Sequence, residues 1–259
     1  MDAFFIPHGQ GFGAQVHTRG PWSNAHQHGG PPAALLARAM ELEAGPRTDW
    51  QPVRFLMEFL KPVPVAQLEV RTSVARATRR VRTLRAVLSS SGVDVCQAEC
   101  VFIARATVPT PDAARSAQRL TPAPDALAPY TFPFFQAEVG YHTAMDLRLP
   151  REAWGGRTCA AWMRARVPVV PGETPSPLQR VVLACDASSG VAPPVDISKF
   201  TFLNPELVVH LWRDLEGEWV GVDAFSEAGP SGAGVARSTV YDAQGSCAAS
   251  AQALLVELR

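Results

Sequence analysis

Asp186, Asn204 and Gln252 are polar residues in apolar surroundings, and each has a side chain suited to holding a water molecule. Asp186 follows Leu178 and Val182 at intervals of four, so in a helix the three share one face. That face belongs to the apolar stripe Leu178, Val181, Val182 and Cys185, which must pack on a sheet. A carboxylate placed there loses hydration unless it is hydrogen-bonded or its pKa rises, and such a group can orient or deprotonate water. The spacing equally allows Asp186 to end the helix, exposed or bonded to a turn with Ser188 and Ser189. Gln252 stands within the small, apolar run Ala248 to Val256. Buried, its amide must find partners and could hold a water or a substrate oxygen; on an edge strand it simply faces solvent. Asn204 precedes Pro205, where an Asn commonly caps a turn, and Thr201 is a nearby hydroxyl alternative.

A second group lies at His28-Gly29-Gly30, ahead of Pro31 and Pro32. Free N–H groups at a helix start make a positive pocket, and glycines let a substrate carbonyl approach it, as an oxyanion hole requires. His26 and His28 could be metal ligands, but no third ligand follows at a recognisable spacing. Arg76, Arg79, Arg80, Arg82 and Arg85 read as a solvated face or as partners for phosphate. No nucleophile elbow, Walker loop or dinucleotide fingerprint is present.

These residues need elements to hold them. One helix runs from the Gly-Gly-Pro-Pro segment through Leu35, Leu36, Ala39 and Met40, with Arg38 and Glu41 turned elsewhere, to a stop at Gly45-Pro46. Strand patterns follow over 53–60, 67–75, 82–88 and 93–103, with a hairpin turn at Ser90, Ser91 and Gly92. The second half repeats this order. Thr174 or Ser176 caps a helix entered by Pro177 and ended at Ser189-Gly190, and strands follow over 207–212, 219–226, 235–241 and 247–258. Gly92 precedes Glu99 by the offset at which Gly245 precedes Gln252, which aligns Glu99 with Gln252 in an internal duplication. Residues 106–139 are rich in proline and read as a connector, giving units at 1–105 and 140–259.

Composition agrees with an α+β protein of two such units. The chain has 259 residues, 47% hydrophobic, with 24 basic and 24 acidic side chains and net charge zero. That balance gives no basic excess for a nucleic-acid partner, and no apolar run is long enough for a membrane span. The N-terminus lacks a secretory pattern, and the five cysteines match no disulfide or zinc framework, so they read as core residues of a cytoplasmic protein.

The segments Gly20-Pro21-Trp22, 27–36, Leu183-Ala184-Cys185-Asp186, 202–207, 217–220 and 252–255 together resemble the double-hotdog proteins related to bacterial acyl-CoA thioesterase II. The resemblance implies two fused hotdog domains, each a curved antiparallel sheet wrapped around a central helix, with the active site where they meet. It implies an acyl-CoA substrate and thioester hydrolysis by an activated water, without metal or other cofactor. In that group an Asp, a Thr or Ser, and a Gln orient the water. Asp186 and Gln252 match the first and last, while Asn204 departs from the hydroxyl position. Looser analogy with single hotdog enzymes places an oxyanion donor at Gly29 or Gly30. The alternatives are a dehydratase or hydratase of acyl thioesters, in which a His usually pairs with an acid, and a non-catalytic acyl-CoA or lipid-binding module. Two fused halves already satisfy the fold's minimal dimer, and its sheets often pair further, leaving a homo-oligomer open.

Overall fold

A computed structural model describes residues 2–111, 114 and 118–259. In chain order its elements are β1 (Phe5–His8), β2 (Gly11–Ala14), α1 (Gly30–Ala44), β3 (Trp50–Phe59), β4 (Gln67–Ala77), β5 (Val81–Ser90) and β6 (Val93–Ala104). Then come α2 (Tyr141–Ala144), β7 (Met145–Arg148), β8 (Thr158–Ala165), α3 (Pro177–Cys185), α4 (Ser188–Val191), β9 (Phe200–Leu203), β10 (Glu206–Leu211), β11 (Val220–Ala228), β12 (Ala233–Asp242) and β13 (Gly245–Leu258).

One antiparallel sheet runs through the molecule in the order β1-β2-β4-β5-β6-β3-β10-β13-β12-β11-β8-β7, with β9 paired to β13. The order β4-β5-β6-β3 around α1 is repeated as β11-β12-β13-β10 around α3. The two series join through β3 and β10, where Leu56 lies opposite Val208. Alternation puts Cys96, Ala98, Cys100 and Phe102 of β6 inward, and likewise Ala248, Ser250, Gln252 and Leu254 of β13. Helix α1 is buried on most of its surface because the sheet and α3 both cover it; Leu35, Leu36 and Met40 are wholly enclosed.

The helix signals read correctly in sequence. Ser176 caps α3 by accepting the Gln179 N–H at 3.1 Å, with Pro177 in the first turn. Gly45, at φ 94°, ends α1. Ser91 (φ 49°) and Gly92 (φ 77°) make the tight β5–β6 turn with both central residues left-handed. Three details differ. Helix α3 ends at Cys185, and Ser189 and Gly190 lie inside the separate helix α4. Glu41 is turned from the sheet yet buried, because α3 covers it. The duplication is offset by one residue: both hairpins shift register at the same place, Leu88 opposite Cys96 then Ser89 opposite Asp94, and Val240 opposite Ala248 then Tyr241 opposite Ser246. Cys96 therefore answers Ala248, and Gln252 answers Cys100 rather than Glu99.

The proline-rich segment falls partly outside the described residues (112, 113 and 115–117). Its later part packs on the second half: the Tyr130 N–H donates to Leu147 O at 2.8 Å, the Trp162 indole to Pro122 O at 2.9 Å, and Phe132 is buried.

Candidate active site

Asp186 occupies the C-terminal cap of α3, in the short step to α4. A helix end is normally wet, but here α1 begins directly against it. A Cβ at Gly30 would stand 2.5 Å from Leu183 O, and one at Gly29 would stand 2.7 Å from Asp186 Oδ1. Only two glycines permit this approach of the N-terminus of α1 to the end of α3. The side chain of Asp186 is 3% exposed and is satisfied from three elements. Asn204, between β9 and β10, donates Nδ2–H to Oδ1 at 2.9 Å. Gln252 of β13 donates Nε2–H to the Asp186 carbonyl at 3.1 Å, with Oδ1 3.5 Å away. His28 Nδ1 lies 2.8 Å from Oδ2.

The 2.8 Å separation of a ring nitrogen and a carboxylate oxygen requires a proton between them. His28 Nδ1 is also 3.2 Å from the Gly30 N–H, and one nitrogen cannot donate and accept at once. The shorter contact governs, so Nδ1 donates its N–H to Asp186 Oδ2. The ring plane is fixed by Tyr141, stacked at 3.8 Å and 2°, whose own hydroxyl donates to Leu183 O at 2.8 Å. Burial and the Asp186 charge push the Tyr141 phenol well above its usual range, so it stays protonated. The same two causes raise the Cys96 thiol. All five cysteines are buried and free, as expected of core residues; burial pushes Cys185 and Cys247 up to about 12.

A cavity of about 410 Å³ opens on this cluster. Its polar end includes His28, Gly29, Asp186, Ser189 and Asn204, and the remainder is largely apolar and aromatic. Gln252, wholly buried, and Gly30 are not on its wall. Thr201 lies in β9 opposite Glu257, and Asn204 rather than Thr201 is the β9–β10 residue that touches Asp186. Sequence reasoning therefore named Asp186, His28, Gly29, Asn204 and Gln252 and the structure brings them together. It missed that His28 pairs with Asp186 and that Ser189 lines the cavity, and it missed Tyr141 and the ring-bearing segment 130–135. The run Tyr130, Phe132, Phe134, Phe135 was the available signal, hidden by its prolines.

Other sequence candidates have structural occupations. Arg82 sits over the Trp50 ring at 4.0 Å and donates to Ala44 O at the end of α1, and Arg85 pairs with Glu99 at 3.1 Å. Among the described residues, no group of three or more His, Cys, Asp or Glu side chains is placed to hold a metal ion, and no helix is long and apolar enough to cross a membrane.

Comparison with known proteins identifies the fold and the family. A conserved protein of unknown function with hot dog fold from Alicyclobacillus acidocaldarius superposes with a TM-score of 0.75 at 17% identity, over 98% of this chain and 95% of its own. The acyl-CoA thioesterase II TesB2 of Mycobacterium marinum gives 0.68 at 16%, over 89% of both chains. A tesB protein of Mycobacterium avium subs paratuberculosis gives 0.68 at 14%, over 98% and 95%. At these identities the likeness shows the hotdog fold. A comparison with curated proteins gives no match. The family models described as the acyl-CoA thioesterase N-terminal domain and the acyl-CoA thioesterase C-terminal domain match residues 18–108 and 118–256. The chain belongs to the acyl-CoA thioesterase family.

Proposed function

We propose that the protein hydrolyses an acyl-CoA thioester with a water activated at Asp186. The observation that carries this reading is a buried carboxylate, held by His28, Asn204 and Gln252, at the polar end of an apolar cavity in a chain of this family. The acyl group occupies the cavity and its carbonyl carbon lies beside Asp186. Asp186 takes a proton from the water as its oxygen bonds to that carbon; the oxyanion is met by the Gly29 amide, the one of the glycine pair on the cavity wall. Collapse breaks the C–S bond, the thiolate leaves and is protonated, and a carboxylic acid and CoA are released. Asn204 positions the carboxylate and the water. Gln252 acts through Asp186 as a positioning residue, since it lies behind the carboxylate. The repeat of strand order supports two fused hotdog units, 1–105 and 140–259, with 106–139 between them and the site at their junction.

Thiol release from a panel of short, medium, long and aromatic acyl-CoAs, wild type beside Asp186→Asn, tests the proposal. Turnover that falls about 10²- to 10⁴-fold in the variant supports it, the span usual for loss of a general base. Turnover indifferent to Asp186 contradicts it, and tight acyl-CoA binding with no release from any substrate leaves a binding module.

The His28–Asp186 pair favours one second reading, hydration of a 2-enoyl thioester. There the oxygen of water adds to C3, a proton goes to C2, and the C–S bond stays intact. Loss of enoyl absorbance without thiol release would select it.

A further inference from the structure

The wall of the cavity carries more information than its volume. Phe132, Phe134 and Phe135 line one side, Trp22 and Phe202 another, and Phe59 closes against Gly29. Along the first side the rings form a near-parallel series: Phe132 to Phe134 at 5.1 Å and 26°, then Phe134 to Phe135 at 5.6 Å and 23°. Phe135 continues it to the imidazole of His28, 6.4 Å and 17° away. The series is anchored from behind, where Trp154 stacks on Phe134 at 6.1 Å and 18° and donates its indole N–H to Gly190 O at 3.0 Å. Gly190 is itself fitted to the wall, since a Cβ there would stand 3.5 Å from the Phe134 ring. Across from it Trp22 meets Phe202 edge to face, at 5.5 Å and 84°.

Resting on the reading of a thioester at Asp186, we infer that the acyl group is a compact aryl-bearing one, of the benzoyl or phenylacetyl class. A saturated chain would bury apolar area here as well, so burial alone does not discriminate. Ring geometry does. An aromatic guest gains offset-stacked and edge contacts with rings already held in place, and nothing has to be ordered to make them. The cavity, at about 410 Å³, is near the lower end of the range for small-molecule sites, which suits a compact group better than a long chain. His28 and Asp186 share the cavity wall with these rings, so a planar acyl group seated against them lies close to the carboxylate.

The test compares phenylacetyl-CoA with octanoyl-CoA, which have equal acyl carbon counts, and with cyclohexylacetyl-CoA, which has a saturated ring of the same size. Both kcat/KM and the affinities of the matching non-hydrolysable thioethers are measured. We expect phenylacetyl to exceed both others by about threefold to tenfold, the range of one or two good ring contacts. Phe134→Leu brings that ratio toward one. Equal or better use of octanoyl, or a ratio unmoved by Phe134→Leu, overturns the inference. Aryl preference in the thioether affinities without thiol release from any ester upholds the ring wall and sinks the thioesterase reading, so the two fail separately.

Discussion

At the level of single residues, the site depends on one nearly buried carboxylate bonded from three elements and still on the cavity wall. Each partner of Asp186 comes from a different element, so its orientation is over-determined: His28 from the entry to α1, Asn204 from the β9–β10 connection, Gln252 from β13. Gly29 contributes by having no side chain, since a Cβ would press on both carboxylate oxygens and on Phe59. We predict that Gly29→Ala displaces the carboxylate and lowers kcat/KM about 10²-fold or more, the effect of roughly 1 Å of misplacement, while circular dichroism shows the chain folded. Near-wild-type turnover would mean that Asp186 tolerates movement and is not the base. Asp186 was legible in sequence because a helical spacing put it with Leu178 and Val182. His28 was visible as part of a glycine turn and as a possible metal ligand beside His26, but not as a partner of Asp186, because that residue lies in the other half of the chain and no local pattern encodes the contact.

At the level of elements, α1 and α3 and the long strands that follow them were readable from caps, alternation and turn residues, while α2, α4, β1, β2, β7, β8 and β9 were not. Four of those five strands have only four residues each, too few for a period to establish itself, and they are held by pairing to longer neighbours. In the β12–β13 turn the Asp242 carboxylate accepts the N–H groups of Gln244 (2.8 Å) and Gly245 (3.2 Å) and pairs with Arg213 at 2.7 Å. Burial pushes the Asp242 carboxyl up, but Arg213 and the backbone N–H groups of Glu216 and Gln244 outweigh it and hold the group below the usual range. A depressed folded-state pKa stabilises above the unfolded value and is lost as pH falls through the folded one. Asp242→Asn should therefore cost roughly 1–3 kcal/mol at neutral pH, and its Tm deficit should shrink as the medium is acidified below about pH 4. A deficit constant down to pH 2 would show that the charge contributes nothing.

At the scale of the whole molecule, a duplicated plan carries one candidate site. The end of α3 against the start of α1 holds Asp186; the reciprocal junction, α1 against the start of α3, holds Glu41. There Glu41 Oε2 accepts from Ser176 Oγ at 2.7 Å and Gln179 Nε2 at 2.9 Å, so the acid ties the helices together. The strand position that supplies Gln252 in one half supplies Cys100 in the other, so the amide that reaches Glu41 comes from α3 rather than from a strand. Burial raises the Glu41 pKa above the ordinary glutamate value, against the pull of its two hydrogen bonds. A folded state that holds its proton more tightly than the unfolded one loses stability as pH rises from about 4 upward through the folded pKa. Glu41→Gln should remove that slope, and parallel Tm profiles for wild type and variant would contradict the assignment. The measurement that tests the central claim most directly is a single turnover of an acyl-CoA by excess enzyme in H₂¹⁸O, with mass analysis of the released acid and of the peptide bearing Asp186. Attack by an activated water predicts one ¹⁸O in the acid and none in the protein. Label in the Asp186 carboxyl would instead reveal an acyl-enzyme anhydride and contradict the role given to that carboxylate.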